Sequence, residues 1–398
     1  MDLILPYIQF LLLFAGLFLA TRKIFSYFEK KFDFFSKDMM WCVYVYHLLF
    51  GLIYYLYALS NPSDSKKYFS STLSTSKSWE HFLGTETSFI KFISYPFINY
   101  LNFSYEMIML LFTWIGFLGF LFAYLFFKEN INLKVTIFKK INLLTLILFL
   151  PNMHFWSASL GKGAIIFSGL MLFAYTLNKP EKRILPMAFA AILVFAVRPH
   201  IFFFLVLALL YGVFFGKNRL PLKVKLGGIL ILVASLFLLQ DKILGVVKLS
   251  DSNNLIQDFL AFASKRSGDL SEATSGLDMA NYSILEKVCS FWFRPLFFDA
   301  PGILGVFVSI ENLVYIILFS RLFKLDFFKF WKSANSNVKM SMVLFLGTSL
   351  AMTFIMSNLG IMIRQKSMIM YFLLFVVYYF QAHSNGIPAR KKAEVVNK

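Results

Sequence analysis

Two basic residues stand where an apolar chain tolerates them least: Lys162 in PNMHFWSASLGKG and Arg198 in FAVRPHIFFF. The apolar runs flanking each are short, or barely long enough, for the roughly 30 Å hydrocarbon core, which needs about 20 residues. A cation in that position is expected to line a polar cavity, because lipid offers it no partner. Gly161 and Gly163 bracket Lys162 and would admit a ligand close to the backbone, and His154 adds a second point for phosphate if it faces the same cavity. The plain alternative for Lys162 is a lysine reaching to the membrane surface beside an aromatic belt of Phe155 and Trp156. Downstream, FRPLFFDAP carries Arg294 and NLGIMIRQKS carries Arg364.

Carboxylates occur near the same level of the chain. In SNPSDSKKYF, Asp64 follows an apolar run and Tyr68 lies four residues later, so a short helix capped by Ser63 or Asp64 would put both side chains on one face. Such a carboxylate suits a general base towards a sugar hydroxyl, or a ligand for a cation that carries pyrophosphate; the bland reading is a capping Asp in a solvated loop. HFLGTETSF supplies His81 and Glu86 at a turn before a helix start, with Glu86 the weaker candidate. For Arg294, pairing with Asp299 or Glu311 competes with a ligand role.

The elements that must position these groups are membrane helices. Of 398 residues 59% are hydrophobic and only 15% are charged, which defines a polytopic membrane protein of all-α class. Hydropathy places spans near 3–20, 41–59, 105–127, 143–154, 163–178, 186–197, 200–215, 226–240, 302–320, 340–357 and 367–382. This is a transmembrane helical bundle of about eleven spans, several short or broken, forming one integral membrane domain over 1–398. The run from Leu3 to Ala20 lacks a basic leader and a cleavage site and reads as a retained first helix. Two long loops, 60–104 and 241–301, are richer in acidic and hydroxyl residues, and the second should carry amphipathic helices over Leu255–Phe262 and Ser283–Phe291.

With the amino terminus outside, segments 21–40, 128–141, 178–185, 216–225 and 321–339 and the basic tail 383–398 are cytoplasmic. They hold about 25 of the 39 Lys and Arg residues, as the positive-inside rule asks. The formal net charge of +18 is therefore topogenic, and its dispersal over several loops argues against nucleic acid as a partner. Cys42 and Cys289 suggest neither a disulfide framework nor a thiolate metal site. Neither internal repeats nor a Gly-rich phosphate loop is present.

In this topology Lys162, Arg198, Arg294 and Arg364 all face the outer side. Together they would form a cationic pocket for a pyrophosphate headgroup whose lipid tail lies in the bilayer. The absence of a nucleotide-binding pattern favours a lipid-linked donor over a nucleotide sugar.

The segments LPNMHFWSASLGKGAIIFSGLMLFAY, VRPHI, FWFRPLFFDA with SIENLVYIILF, and NLGIMIRQKSMIMYFLLF, with the Asp64/Tyr68 loop and LGTETSFI, carry a resemblance. From about Asp64 to Tyr379 the chain resembles bacterial Wzy-type O-antigen and capsule polymerases and EpsG-like proteins, and more remotely the GT-C glycosyltransferases. The resemblance implies sugar transfer from a polyprenyl pyrophosphate donor at the outer face of the bacterial inner membrane, alongside other polysaccharide-assembly proteins. By that likeness Asp64 matches the acidic residue of the first outer loop, and Arg198, Arg294 and Arg364 hold pyrophosphate. The paired acidic motif of the GT-C class is absent here, so no cofactor is expected and a divalent cation has no clear motif. The expected chemistry is glycosyl transfer with Asp64 or His200 deprotonating the acceptor and the cations stabilising the leaving pyrophosphate. Tyr68, His154 and Trp156 join Lys162 and the arginines as substrate contacts. The alternatives are a transporter or flippase of lipid-linked oligosaccharide, which should show two related halves, and a non-catalytic assembly partner.

Overall fold

A computed structural model describes residues 5–137, 140–217, 226–227, 229–230, 233–234, 237, 255–271, 276–279, 281–300 and 302–396. Nearly all of it is helical. The one sheet among the described residues is a two-stranded antiparallel hairpin, β1 (Thr136–Ile137) and β2 (Ile141–Asn142). Among the described residues, five stretches are long and apolar enough to cross a membrane: Leu5–Lys31, Lys37–Ser60, Tyr105–Asn130, Gly302–Phe323 and Leu359–Ser384. Their outward faces are apolar, with Leu11, Leu19, Ile303 and Phe307 all more than half exposed, a surface that lipid satisfies and water would not. The chain is thus an all-helical protein suited to a membrane. The expected span over 226–240 lies largely outside the described residues, as do the loop residues 218–225 and 241–254.

The chain divides into two compact units. The first comprises residues 1–130 and 148–198. Its helices are α1 (Leu5–Lys31), α2 (Lys37–Ser60), α3 (Asp64–Leu73), α4 (Thr87–Tyr95), α5 (Tyr105–Asn130), α7 (Pro151–Ser157), α8 (Lys162–Thr176) and α9 (Ile184–Val197), with α6 (Leu143–Leu148) ending at its border. Ser36 starts α2 by accepting a hydrogen bond from the Met39 amide, and Ser63 does the same for α3 through Lys66. Pro151 opens α7 at a position where a missing N–H is harmless. The apolar run 143–154 is therefore two short helices broken at Phe149–Leu150.

α5 is the axis of this unit, packing on α1, α2, α7 and α8. Phe112, Phe117, Phe120 and Phe126 on α5 are fully buried with Phe167 of α8. Gly116 allows the close approach of α7, since a Cβ there would meet the Ser157 carbonyl. At the far end Glu129 accepts two hydrogen bonds from Arg183 at 2.7 and 2.6 Å and one from Asn178 at 2.8 Å. The Arg183 guanidinium also lies 3.9 Å from the Tyr175 ring centre, so the turn between α8 and α9 is clamped to the end of α5.

The second unit comprises residues 131–147 and 199–398. It holds the hairpin, α10 (Pro199–Phe215), α11 (Leu255–Ser271), α12 (Ile284–Phe293), α13 (Gly302–Ser320), α14 (Leu325–Ser333), α15 (Ser336–Thr353) and α16 (Leu359–Val396). α15 packs against α10, α12 and α16, with Phe291, Phe345 and Phe375 buried in the core. A capping box opens α12: Ser283 accepts from the Glu286 amide and Glu286 accepts from the Ser283 amide. Both amphipathic stretches expected in the second long loop are helices, as α11 and α12. The first long loop is also structured, with α3, α4 and tighter or wider turns at Trp79–Phe82 and Pro96–Tyr100. The basic tail continues α16 as far as Val396.

Candidate functional site

In the first unit the candidates gather around Glu86. This residue precedes α4 with φ 59° and ψ −118°, a conformation that a side chain with a Cβ rarely adopts. Its amide donates to the Ala196 carbonyl at 2.7 Å, two residues before Arg198. Its carboxylate accepts from Lys162 Nζ at 3.2 Å. Glu86 therefore ties the start of α8, where Lys162 sits, to the end of α9, which Arg198 terminates with its amide on the Val194 carbonyl. Arg198 is buried, whereas the Lys162 side chain is 20% exposed and Glu86 38%.

Ser63 caps α3, so Asp64 falls in its first turn, exposed, with Tyr68 one turn later on the same face. The Tyr68 ring reaches the turn before Lys162, since a Cβ built on Gly161 would lie 3.6 Å from it. Beneath Asp64, the Ser65 hydroxyl pairs with Tyr105 at 2.8 Å and with Ser63 at 3.1 Å. Trp156 lies edge-on to Tyr54 and Phe155, and the α7–α8 turn is tight because Gly163 sits against the Trp156 carbonyl. Asp64, Tyr68, Glu86, Lys162 and the Arg198 backbone thus belong to one set of turns at one end of the unit.

His154 points elsewhere. It is fully buried, with one ring nitrogen 2.9 Å from His47 Nδ1 and the other 2.8 Å from the Leu148 carbonyl. It does not contact the turn at Lys162.

The second unit holds the other cations. Arg294 ends α12 and donates through Nε to Asp299 at 2.5 Å and through Nη1 to Tyr282 at 3.2 Å. Burial works against its charge, but the hydrogen bonds to Asp299 and Tyr282 outweigh that and hold the guanidinium above its ordinary value. Of the two carboxylates expected to compete for Arg294, Asp299 is the one that takes it. Glu311 instead accepts from Tyr315. Arg364 lies in the opening turns of α16 and His200 in the first turn of α10.

Sequence reasoning passed over Lys366, two residues beyond Arg364. It is fully buried and donates three hydrogen bonds, to the carbonyls of Trp292 at 3.1 Å and Arg294 at 2.8 Å and to Asn312 Oδ1 at 2.6 Å. The Glu311 and Asp299 charges act on it from further off. Lys366 thereby joins α12, α13 and α16 in a charged cluster with Arg294, Asp299, Glu311 and Asn312. Its signal was available: three donors on one buried ammonium need three acceptors, and Asn312 and Glu311 are polar interruptions in an otherwise apolar helix. Among the described residues, no group of three or more His, Cys, Asp or Glu is arranged to hold a metal ion.

No family model, curated protein or solved structure matches the chain.

Proposed function

We propose that this chain is a membrane glycosyltransferase of the polysaccharide-polymerase kind, joining sugar units carried on polyprenyl pyrophosphate. The observation that carries the reading is that Glu86 pairs with Lys162 and holds, through the Ala196 carbonyl, the end of the helix that Arg198 terminates, both cations lying at the ends of helices too short to hide a charge in lipid. Both cations sit at breaks between short helices, Lys162 between α7 of 7 residues and α8 of 15, and Arg198 between α9 of 14 and α10 of 17. Such breaks supply irregular backbone at membrane level only where it lines a polar space.

In this reading Lys162 exchanges Glu86 for phosphate oxygens as the donor binds, and Arg198 offers a fork suited to a second phosphate. Asp64, exposed one turn from Tyr68, takes the proton of the acceptor hydroxyl. The strain at Glu86 fits a residue held in place for ligand exchange, because disfavoured backbone persists where the surroundings impose it. Arg294, Arg364 and His200, expected from the sequence as pyrophosphate contacts and an alternative base, belong to the second unit, where Lys366 fixes the backbone of Arg294. We assign the bacterial inner membrane as its location, about eleven crossings including the short helices, and an outside amino terminus. The rule that basic loops stay in the cytoplasm supports that orientation.

The test is polymer length in cells. Arg198→Ala and Lys162→Met should each leave single repeat units on the surface and abolish long chains on gels. Long chains persisting in both variants would sink the polymerase reading, and loss of all surface sugar would point to transport of the lipid-linked unit.

A further inference from the structure

The buried histidine pair of the first unit presents a proton count that two neutral rings cannot meet. His47 of α2 and His154 of α7 face each other with Nδ1 to Nδ1 at 2.9 Å. Their other nitrogens face backbone carbonyls, His47 Nε2 at 3.0 Å from Thr113 and His154 Nε2 at 2.8 Å from Leu148. A carbonyl only accepts, so each Nε2 must carry a hydrogen. That places the single hydrogen of each neutral imidazole on Nε2 and leaves two bare Nδ1 lone pairs in contact. A third proton between them turns this repulsion into a hydrogen bond. A tetrahedral zinc-like ion bound at about 2.0–2.1 Å would hold the two nitrogens about 3.3 Å apart, wider than the 2.9 Å seen here.

We infer that His47 and His154 form a proton-binding site, in which one proton is shared between the two Nδ1 atoms and the pair carries a single positive charge. The surroundings bear on that charge in opposite directions. Both rings are fully buried, and burial alone disfavours the cation. In its favour, Phe120 stacks on His154 at 3.7 Å and 9°, and the Tyr46 ring stands edge-on at 4.8 Å, so the cation lies over an aromatic face. Among the described residues, the titratable side chains in contact with the rings are each other and Tyr46, whose hydroxyl donates to Phe149. The facing positions on α5 are Thr113, Gly116 and Phe120, and Phe167 of α8 packs behind Phe120.

Loss of the shared proton has a defined mechanical result. With two protons left, one ring must give up its carbonyl or the rings must part. Thr113 carries that change onward, because its carbonyl holds His47 while its hydroxyl donates to the Ala158 carbonyl at 3.0 Å, four residues before Lys162. The site binds one proton whatever reaction the protein performs, so it does not rest on the proposed function.

The experiment is nitrogen NMR of the full chain, labelled with ¹⁵N-histidine and held in lipid nanodiscs. The expected result is a nitrogen–nitrogen coupling across a strongly deshielded proton between two Nδ1 atoms, lost in one step as pH rises, with one proton released per chain. His47→Gln and His154→Gln should each abolish the coupling and shift the remaining ring to a separate titration. The wild-type spectrum decides the matter should a variant fail to fold. Two histidines that titrate independently, or that show neutral rings without coupling throughout the pH range, would overturn the assignment.

Discussion

Replacing Lys366 by Met removes an ammonium while nearly conserving side-chain volume, and so isolates the electrostatic part of the buried cluster in the second unit. The lost contacts are three hydrogen bonds to Trp292, Arg294 and Asn312. What remains is a carbonyl pair and an amide oxygen that have lost these donors, near the Glu311 carboxylate, which is 2% exposed. Leaving a buried hydrogen-bonding group unsatisfied costs about 1–3 kcal/mol, and with three acceptors affected the loss should be about 3–5 kcal/mol. At about 2–4 °C per kcal/mol for a unit of this size, the melting temperature should fall by about 6–20 °C. Thermal unfolding in detergent, followed by tryptophan fluorescence, reads this directly because Trp292 belongs to the cluster. The double variant Lys366→Met with Glu311→Gln also removes the nearby carboxylate charge and should recover part of the loss, since a buried carboxylate is disfavoured once a nearby cation is gone. A single variant as stable as wild type would refute the view of Lys366 as the donor that satisfies this buried cluster.

Three further outcomes follow from the same reasoning. Arg183→Met should cost about 3 kcal/mol in thermal unfolding, because it takes both forked hydrogen bonds from the buried Glu129 carboxylate and leaves it Asn178 and the more distant Lys179; Arg183→Lys should restore only part, lacking the fork that meets both oxygens. Glu86→Gly should be more stable than Glu86→Ala by about 1–3 kcal/mol, since both lose the Lys162 contact and only glycine accepts the strained backbone. The Glu286 carboxyl is held below its ordinary value by hydrogen bonds from the Ser283 side chain and backbone. A depressed carboxylate stabilises the fold above its ordinary value, about 4.5, and that contribution is lost as pH falls through the lower folded value. Amide exchange at the start of α12 should therefore quicken on acidification, and Ser283→Ala should weaken that dependence.

Helix placement was readable wherever the chain announces its own breaks. Pro151, Gly161, Pro199 and Ser63 put helix starts within a few residues of where α7, α8, α10 and α3 begin. The loop over 60–104 was harder, because α3 and α4 are short and lie outside the apolar runs that hydropathy detects. Inward and outward faces could not be told apart in helices that are apolar all round. Arg364 and Lys366, two residues apart, therefore look alike in the sequence. The pairing of His154 with His47 is invisible locally, because the two lie 107 residues apart in sequence. Glu86 ranked below Asp64 on spacing alone, since a left-handed backbone and a hydrogen bond to Ala196 leave no mark on composition.

Binding of a polyprenyl pyrophosphate to the purified chain in lipid nanodiscs bears most directly on the central claim. Polyprenyl pyrophosphate without sugar should bind, its parent alcohol should not compete, and Lys162→Met or Arg198→Gln should weaken binding by about tenfold or more, roughly 1.4 kcal/mol each. Equal binding of alcohol and pyrophosphate, or affinities unchanged in both variants, would contradict it.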